Sequence, residues 1–157
     1  MQARIDARRH AEEAQKAMYA LEKYLAESGL QHSLIHLMKM RASQINGCAY
    51  CIDMHSKDAR ALGETEQRLY ELDAWRETPF YSERERAALA WTEAITLVSE
   101  THVPDSVYEE VRKFFNEKEI VDLTFVVTTI NAWNRLAIAL RAVPGHYRPA
   151  TLAATAS

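Results

Sequence analysis

Residues 40–63 read MRASQINGCAYCIDMHSKDARALG, and the rest of the chain is read outward from them. Asn46-Gly47 is a strong helix break, and Gly63 is the next one. A helix is therefore expected from about Cys48 to Gly63. On a wheel with Cys48 at zero, Cys51 falls at about 300° and His55 at about 340°. The three share an arc of roughly 60°. A helix N-terminus leaves backbone N–H groups without partners, and these favour a thiolate. The thiolate is the nucleophilic form of cysteine. His55 follows Cys51 by four residues, so its ring can approach that sulfur and exchange a proton with it.

Cys48 and Cys51 are the only cysteines in 157 residues. A disulfide-stapled secreted domain would use more, spread along the chain. A bond across one helical turn closes almost no loop and adds little stability. Chemistry is the better reason for the pair. A lone cysteine on an apolar helix face would be a small buried hydrophobe instead. C-x2-C-x3-H also offers three zinc ligands, with His36 or an acid as a fourth. No second C-x2-C pair exists to complete a common structural zinc set, and no metal is assigned.

The flanking sequence is ordinary for a globular protein. Hydrophobic residues make up 48% and charged residues 26%, so a core is affordable without a strongly charged surface. The net charge is −3 and no stretch is rich in Lys and Arg, which argues against a nucleic-acid partner. No uninterrupted apolar run reaches the roughly 18 residues that suggest a membrane span. The start, MQARIDARRHAEEAQ, lacks the apolar centre of a secretory signal, so the expected location is cytoplasmic.

Four Gly and four Pro punctuate the remainder. Ala14, Met18, Leu21 and Leu25 recur at helical spacing within a helix expected from Ile5 to Ala26, closed by Ser28-Gly29. A second helix is expected from Ser33 to Gln44. After the cysteine helix, Glu64–Leu72 reads as a short helix and Pro79 as loop. Ser82 with Glu85 forms a capping box for a helix running to Ser99. Pro104-Asp105 opens another, to Asn116. The last runs from Glu117 to Arg141 and ends at Pro144-Gly145. FVVTTI, Phe125–Ile130, is β-branched but lies inside this helical pattern. The expectation is an all-α bundle of about seven helices in one domain, residues 1–150. The tail 151–157, TLAATAS, is expected to be disordered.

Three stretches resemble the alkyl hydroperoxidase D-like proteins of the carboxymuconolactone decarboxylase superfamily. They are MRASQINGCAYCIDMHSKDARALG, then SERERAALAWTEAITLVSE at Ser82–Glu100, and INAWNRLAIALR at Ile130–Arg141. The similarity covers roughly Leu21 to Gly145, and the SQINGC start of C-x2-C-x3-H is its most specific part. The resemblance implies an all-α fold assembling as a homo-oligomer, commonly a trimer or hexamer. It implies a thiol peroxidase in which a thiolate attacks a hydroperoxide. The sulfenic acid then condenses with the second cysteine, and a thiol or dithiol reductant protein restores the pair. No metal or organic cofactor is implied. By position, Cys51 matches the attacking thiol, Cys48 the resolving thiol and His55 the proton relay. The residue pattern itself leaves the order of the cysteines open, since Cys48 lies nearer the helix N-terminus.

Two departures bear on the relay. Family members often carry a Glu twelve residues before the first Cys, where this chain has His36. Some carry a His between the cysteines, where this chain has Tyr50. The missing acid is sought in Glu93, which stands among apolar Ala90, Trp91, Ala94, Ile95 and Leu97. A solvated Glu on a wide amphipathic helix fits that pattern equally well. His36 is read as a relay candidate or as a polar residue on an exposed edge. His10, His32, His102 and His146 read as solvated. Asn131, Asn134 and Arg135 share a helix face and suit subunit contacts, a wall of the site or plain surface polarity.

The function read from these features is hydroperoxide reduction through Cys48, Cys51 and His55, with Glu93 and His36 as supporting candidates. A thiol–disulfide adaptor with little peroxide turnover is the nearest alternative. A carboxymuconolactone decarboxylase-type lyase would have no need of the CxxC, and a helical oligomerisation module would make it incidental.

Overall fold

The computed structural model describes residues 2–149, without the side chain of Arg8. Among the described residues every regular element is a helix. In order these are α1 (Ala7–His10), α2 (Glu12–Ala26), α3 (His32–Asn46), α4 (Ala49–Ala61) and α5 (Glu66–Tyr70). A 3₁₀ segment, Leu72–Glu77, follows. Then come α6 (Glu83–Thr96), α7 (Val98–Thr101), α8 (Asp105–Val111) and α9 (Glu117–Leu140). The all-α expectation holds. FVVTTI lies within α9, where Val126, Val127 and Ile130 are buried. The tail 151–157 lies outside the described residues.

α3 is the centre of the bundle and packs on α4, α6 and α9. Its sequence has apolar residues on more than one side, and Leu34, Ile35, Leu37, Met38, Met40 and Ala42 are all buried. A helix apolar all round must be enclosed by others. Leu34, Ile35 and Met38 join Ala88, Trp91, Leu123 and Val127 in the main core. Leu37 and Met40 join Leu72, Trp75, Tyr81 and Leu89 in a second cluster. Ala42 meets Cys48, Cys51 and Ile130 in a third. The cysteine turn is thus part of the core.

The capping box expected at Ser82 is present, with Glu85 closing it on the backbone of Ser82. A second one, Asn116 with Glu119, starts α9. Several expected helices are divided. The Ile5–Ala26 segment breaks at Ala11 (φ −145°, ψ 49°). Its first residues are engaged elsewhere: the Arg4 N–H donates to the Leu140 carbonyl at 2.9 Å and its guanidinium to that of Ala139 at 3.1 Å. These fill orphan carbonyls at the end of α9, and the chain must then turn into α2. The Ser82–Ser99 helix breaks at Leu97 (φ −99°, ψ 35°), where the Thr101 hydroxyl donates to the Ala94 carbonyl at 2.7 Å. The segment expected to reach Asn116 leaves α8 after Val111. The region read as a loop before Pro79 forms the 3₁₀ segment, driven by burial of Leu72 and Trp75.

By length and composition α9 meets the requirement for a membrane span, with mean hydropathy 1.2 over its best window. Its packing on α2, α3 and α6 buries Ile120, Leu123, Val126, Val127 and Ile130 inside the bundle, together with Asp122, Asn131 and Asn134.

Candidate functional site

The cysteine turn is built by a tight helix exit. Gly47 ends α3 in the left-handed region (φ 67°, ψ 31°), a conformation glycine adopts without steric cost. The Cys48 N–H then reaches back to the Ser43 carbonyl at 2.9 Å, a Schellman-type closure. Cys48 is the N-cap of α4, with extended backbone and its sulfur accepting from the Cys51 N–H at 3.4 Å. The wheel reading that put Cys48 inside the helix is corrected by one position. The two cysteines still meet: their Cα atoms are 5.4 Å apart and their sulfurs are bonded.

Behind the turn lies a buried polar seam. Asn46 Nδ2 donates to Asn131 Oδ1 at 3.0 Å and to Asn134 Oδ1 at 2.8 Å. Asn134 Nδ2 donates to the Ser43 hydroxyl at 3.0 Å, and Asn131 Nδ2 to Thr96 Oγ1 at 3.1 Å. Arg135 donates to Asn131 Oδ1 at 2.8 Å. Asn131 and Asn134 are therefore not surface residues: they clamp the end of α3 to α9 and α6. A buried amide whose partners are all supplied fixes position, because any slip leaves polar groups unpaired.

In front of the turn is a cavity of about 610 Å³. Its floor includes Cys51, Met54, His55 and Asp58 of α4, with His36 and Lys39 of α3. Trp133, Leu136 and Leu140 of α9 form an apolar wall, and the N-terminal segment covers it with Ile5 and Tyr19. Cys51 lines this cavity and Cys48 does not, although their exposures are similar at 2% and 1%.

His36 is drawn to the site by the packing of α3 on α4. Its Nδ1 lies 3.4 Å from Nδ1 of His55. Asp58 Oδ2 is 3.9 Å from each of those nitrogens. The Tyr147 hydroxyl donates to Asp58 Oδ1 at 2.7 Å and orients the carboxylate. Lys39 pairs with Glu22, whose other oxygen accepts from Trp133 Nε1 at 3.0 Å. Burial lowers the His36 pKa to about 4, helped by the charges of Lys39 and His32 and opposed by Glu22. Burial, then Lys39 and His36, hold His55 well below the ordinary imidazole value. Burial pushes Asp58 up, against the Tyr147 hydrogen bond and Lys39. Burial therefore disfavours the charged form of both imidazoles.

Glu93 does not belong to this cluster, and its assignment as relay acid is corrected. Its carboxylate accepts from Arg41 Nε and Trp75 Nε1, each at 2.8 Å, and from Arg76. Burial raises its pKa, but the hydrogen bonds from Trp75, Arg76 and Arg41 outweigh that and the net shift is downward. A carboxylate held by three donors is a tie between α3, α6 and the 3₁₀ segment. The acid beside the histidines is Asp58, which sequence reasoning missed. Its signal was available: it stands three residues after His55 and seven after Cys51, on the same helix face. Lys39, Glu22 and Tyr147 were missed as well, and none carries a local motif. His10, His32, His102 and His146 are exposed, as expected.

The profile of the carboxymuconolactone decarboxylase family matches residues 12–94, just over half of the chain. YdfG, an uncharacterised protein of Bacillus subtilis, is 49% identical over 130 residues, covering 83% of this chain and 88% of that one. A protein of unknown function from Agrobacterium tumefaciens, named as a candidate antioxidant defence protein AhpD, has a crystal structure with TM-score 0.90. It is 45% identical and covers 93% of this chain and all of that one. The debrominase Bmp8 shares the fold at TM-score 0.75 with 22% identity, covering 83% of this chain and 70% of that one.

Proposed function

This chain is an AhpD-like member of the carboxymuconolactone decarboxylase family, and on that premise we propose that it is a thiol-dependent peroxidase. The observation that carries the reading is the placement of Cys51 and His55 on the floor of one cavity, with Cys48 just behind. In the reduced enzyme the neutral His55 ring takes the Cys51 proton. The thiolate attacks the outer oxygen of a hydroperoxide, so an S–O bond forms and the O–O bond breaks. The departing alkoxide takes the proton from His55 and leaves as an alcohol. Cys48 then attacks the Cys51 sulfenic acid, an S–S bond replaces the S–O bond, and water departs. A thiol or dithiol reductant supplies two electrons and two protons to reopen the disulfide.

His36 and Asp58 extend the relay. The His36 ring faces His55 at the position where the family resemblance implies a Glu, and the Asp58 carboxyl lies 3.9 Å from both rings. The cavity walls favour an organic hydroperoxide over hydrogen peroxide, since Trp133, Leu136 and Leu140 offer apolar contact. The cycle calls for no metal or organic cofactor. We place the enzyme in the cytoplasm, where reducing thiols are abundant, and as a homo-oligomer. The exposed Val121, Phe125 and Leu136 of α9 support that assembly.

The test is consumption of cumene or tert-butyl hydroperoxide with dithiothreitol, with thiols counted before and after. Wild type is expected to turn over and to lose two thiols per oxidation event, and Cys51→Ser to lose turnover. Unaltered activity in both Cys48→Ser and Cys51→Ser would sink the proposal. A titratable disulfide without turnover would favour the adaptor reading.

A further inference from the structure

We propose that His36, His55 and Asp58 form a binding site for a divalent transition-metal ion of the zinc or cobalt kind, open to the cavity and independent of the two cysteines. One ligand atom from each residue lies within 4.8 Å of the others, and all three residues line the cavity. The two Nδ1 atoms are 3.4 Å apart. Two nitrogens bound to one ion at about 2.1 Å with a tetrahedral angle stand about 3.4 Å from each other. The Asp58 oxygen, at 3.9 Å from each nitrogen, closes the set with a shift of roughly half an ångström.

The surroundings suit an ion. Zinc-family ions bind neutral imidazole, and both rings are kept neutral by burial. Tyr147 holds the outer oxygen of Asp58, which is the outer-shell support that ligating carboxylates require. Lys39 is the cation facing the site, and its charge is offset by its pairing with Glu22. Two nitrogens and one oxygen select a first-row transition ion over calcium or magnesium, which take oxygen ligands. Three protein ligands leave at least one position for water or a small ligand in the cavity. The cysteines are bonded to each other and supply no thiolate, so the inference does not rest on the redox reading.

The test uses the full chain, chelator-stripped and kept oxidised, titrated with cobalt(II) and followed by visible absorption, with zinc(II) as competitor. One equivalent is expected to bind, with ligand-field bands and no thiolate charge-transfer band. His36→Ala and Asp58→Asn are each expected to weaken binding at least about tenfold, and the Cys48→Ser/Cys51→Ser double variant to retain it. Circular dichroism checks each variant's fold. In wild type, zinc is expected to shift the imidazole NMR resonances of His36 and His55, with those of His10 and His146 unmoved. No bound equivalent, binding insensitive to both folded ligand variants, loss in the cysteine variant, or shifts confined to the exposed histidines would each overturn the site.

Discussion

The floor and the roof of the cavity are made differently. The floor is contributed by α3, α4 and α9, where Cys51 and His55 are buried and Ser43 and Asn134 lock the turn behind them. The roof is the N-terminal segment through α2, in which Leu25 is the only residue that α2 buries. It is held by polar ties: Arg4 to the end of α9, Tyr24 to Asp122 at 2.8 Å, and Glu22 between Lys39 and Trp133. Dense packing and satisfied buried amides keep the floor in one arrangement. An element with one buried side chain opens at low cost. On the peroxidase reading proposed above, the chemistry belongs to the floor and access to it to the roof.

That contrast can be broken in several ways. The largest effect is expected from His55→Ala, which should lower peroxidase kcat by about 10²–10⁴-fold, the usual range for a lost proton-transfer group. Steady-state kinetics reads it, and an effect below tenfold would take His55 out of the relay. Next is pH. The His36 pKa is lowered to about 4 in the fold, whereas an unfolded imidazole titrates near the ordinary 6.5. Between those values the unfolded state binds the proton and the folded state does not. Stability is thus full above about pH 6.5 and falls toward pH 4, by on the order of 2–3 kcal/mol. Urea unfolding across that range should show the loss, and His36→Gln should reduce it.

Third, Asn134→Ala removes partners from both Asn46 and Ser43 and is expected to cost roughly 2 kcal/mol. The matching roof change, Tyr24→Phe, removes one half-exposed hydrogen bond and should cost about 1 kcal/mol or less. Equal losses in urea unfolding would erase the distinction between floor and roof. The smallest stability effect is expected on deleting residues 2–10, within about 1 kcal/mol. That deletion should speed reduction of the Cys48–Cys51 bond by bulky thiols more than by dithiothreitol.

Much of this arrangement is readable before any coordinates. The break at Asn46-Gly47 and the Ser82 capping box mark helix ends because each acts within a few residues, whereas α9 ends ahead of Pro144-Gly145, at Leu140 with Arg141 in the left-handed region. Ala11 and Leu97 carry no such signal. The first break depends on Arg4 reaching α9, 135 residues away, and the second on Thr101 folding back to Ala94. Glu93 shows the limit of reading a site from one helix. An acid among apolar neighbours looks like a perturbed catalytic group, but Arg41, Trp75 and Arg76 arrive from other elements to hold it. Asp58 is the reverse case. It sits beside Lys57, in a stretch that reads as solvated charge, yet α3 brings His36 over it and the C-terminal segment brings Tyr147. Family resemblance pointed to His36 by its position, and its contact with His55 required the packed structure.

The central claim is that Cys51, the sulfur that lines the cavity, is the one that meets the peroxide. Trapping the sulfenic acid with dimedone after one equivalent of cumene hydroperoxide, followed by peptide mass spectrometry, tests it directly. In Cys48→Ser the adduct is expected on Cys51, because the resolving thiol is gone. In Cys51→Ser no adduct on Cys48 is expected on the same timescale. Label on Cys48 in the second variant with none on Cys51 in the first would contradict the account.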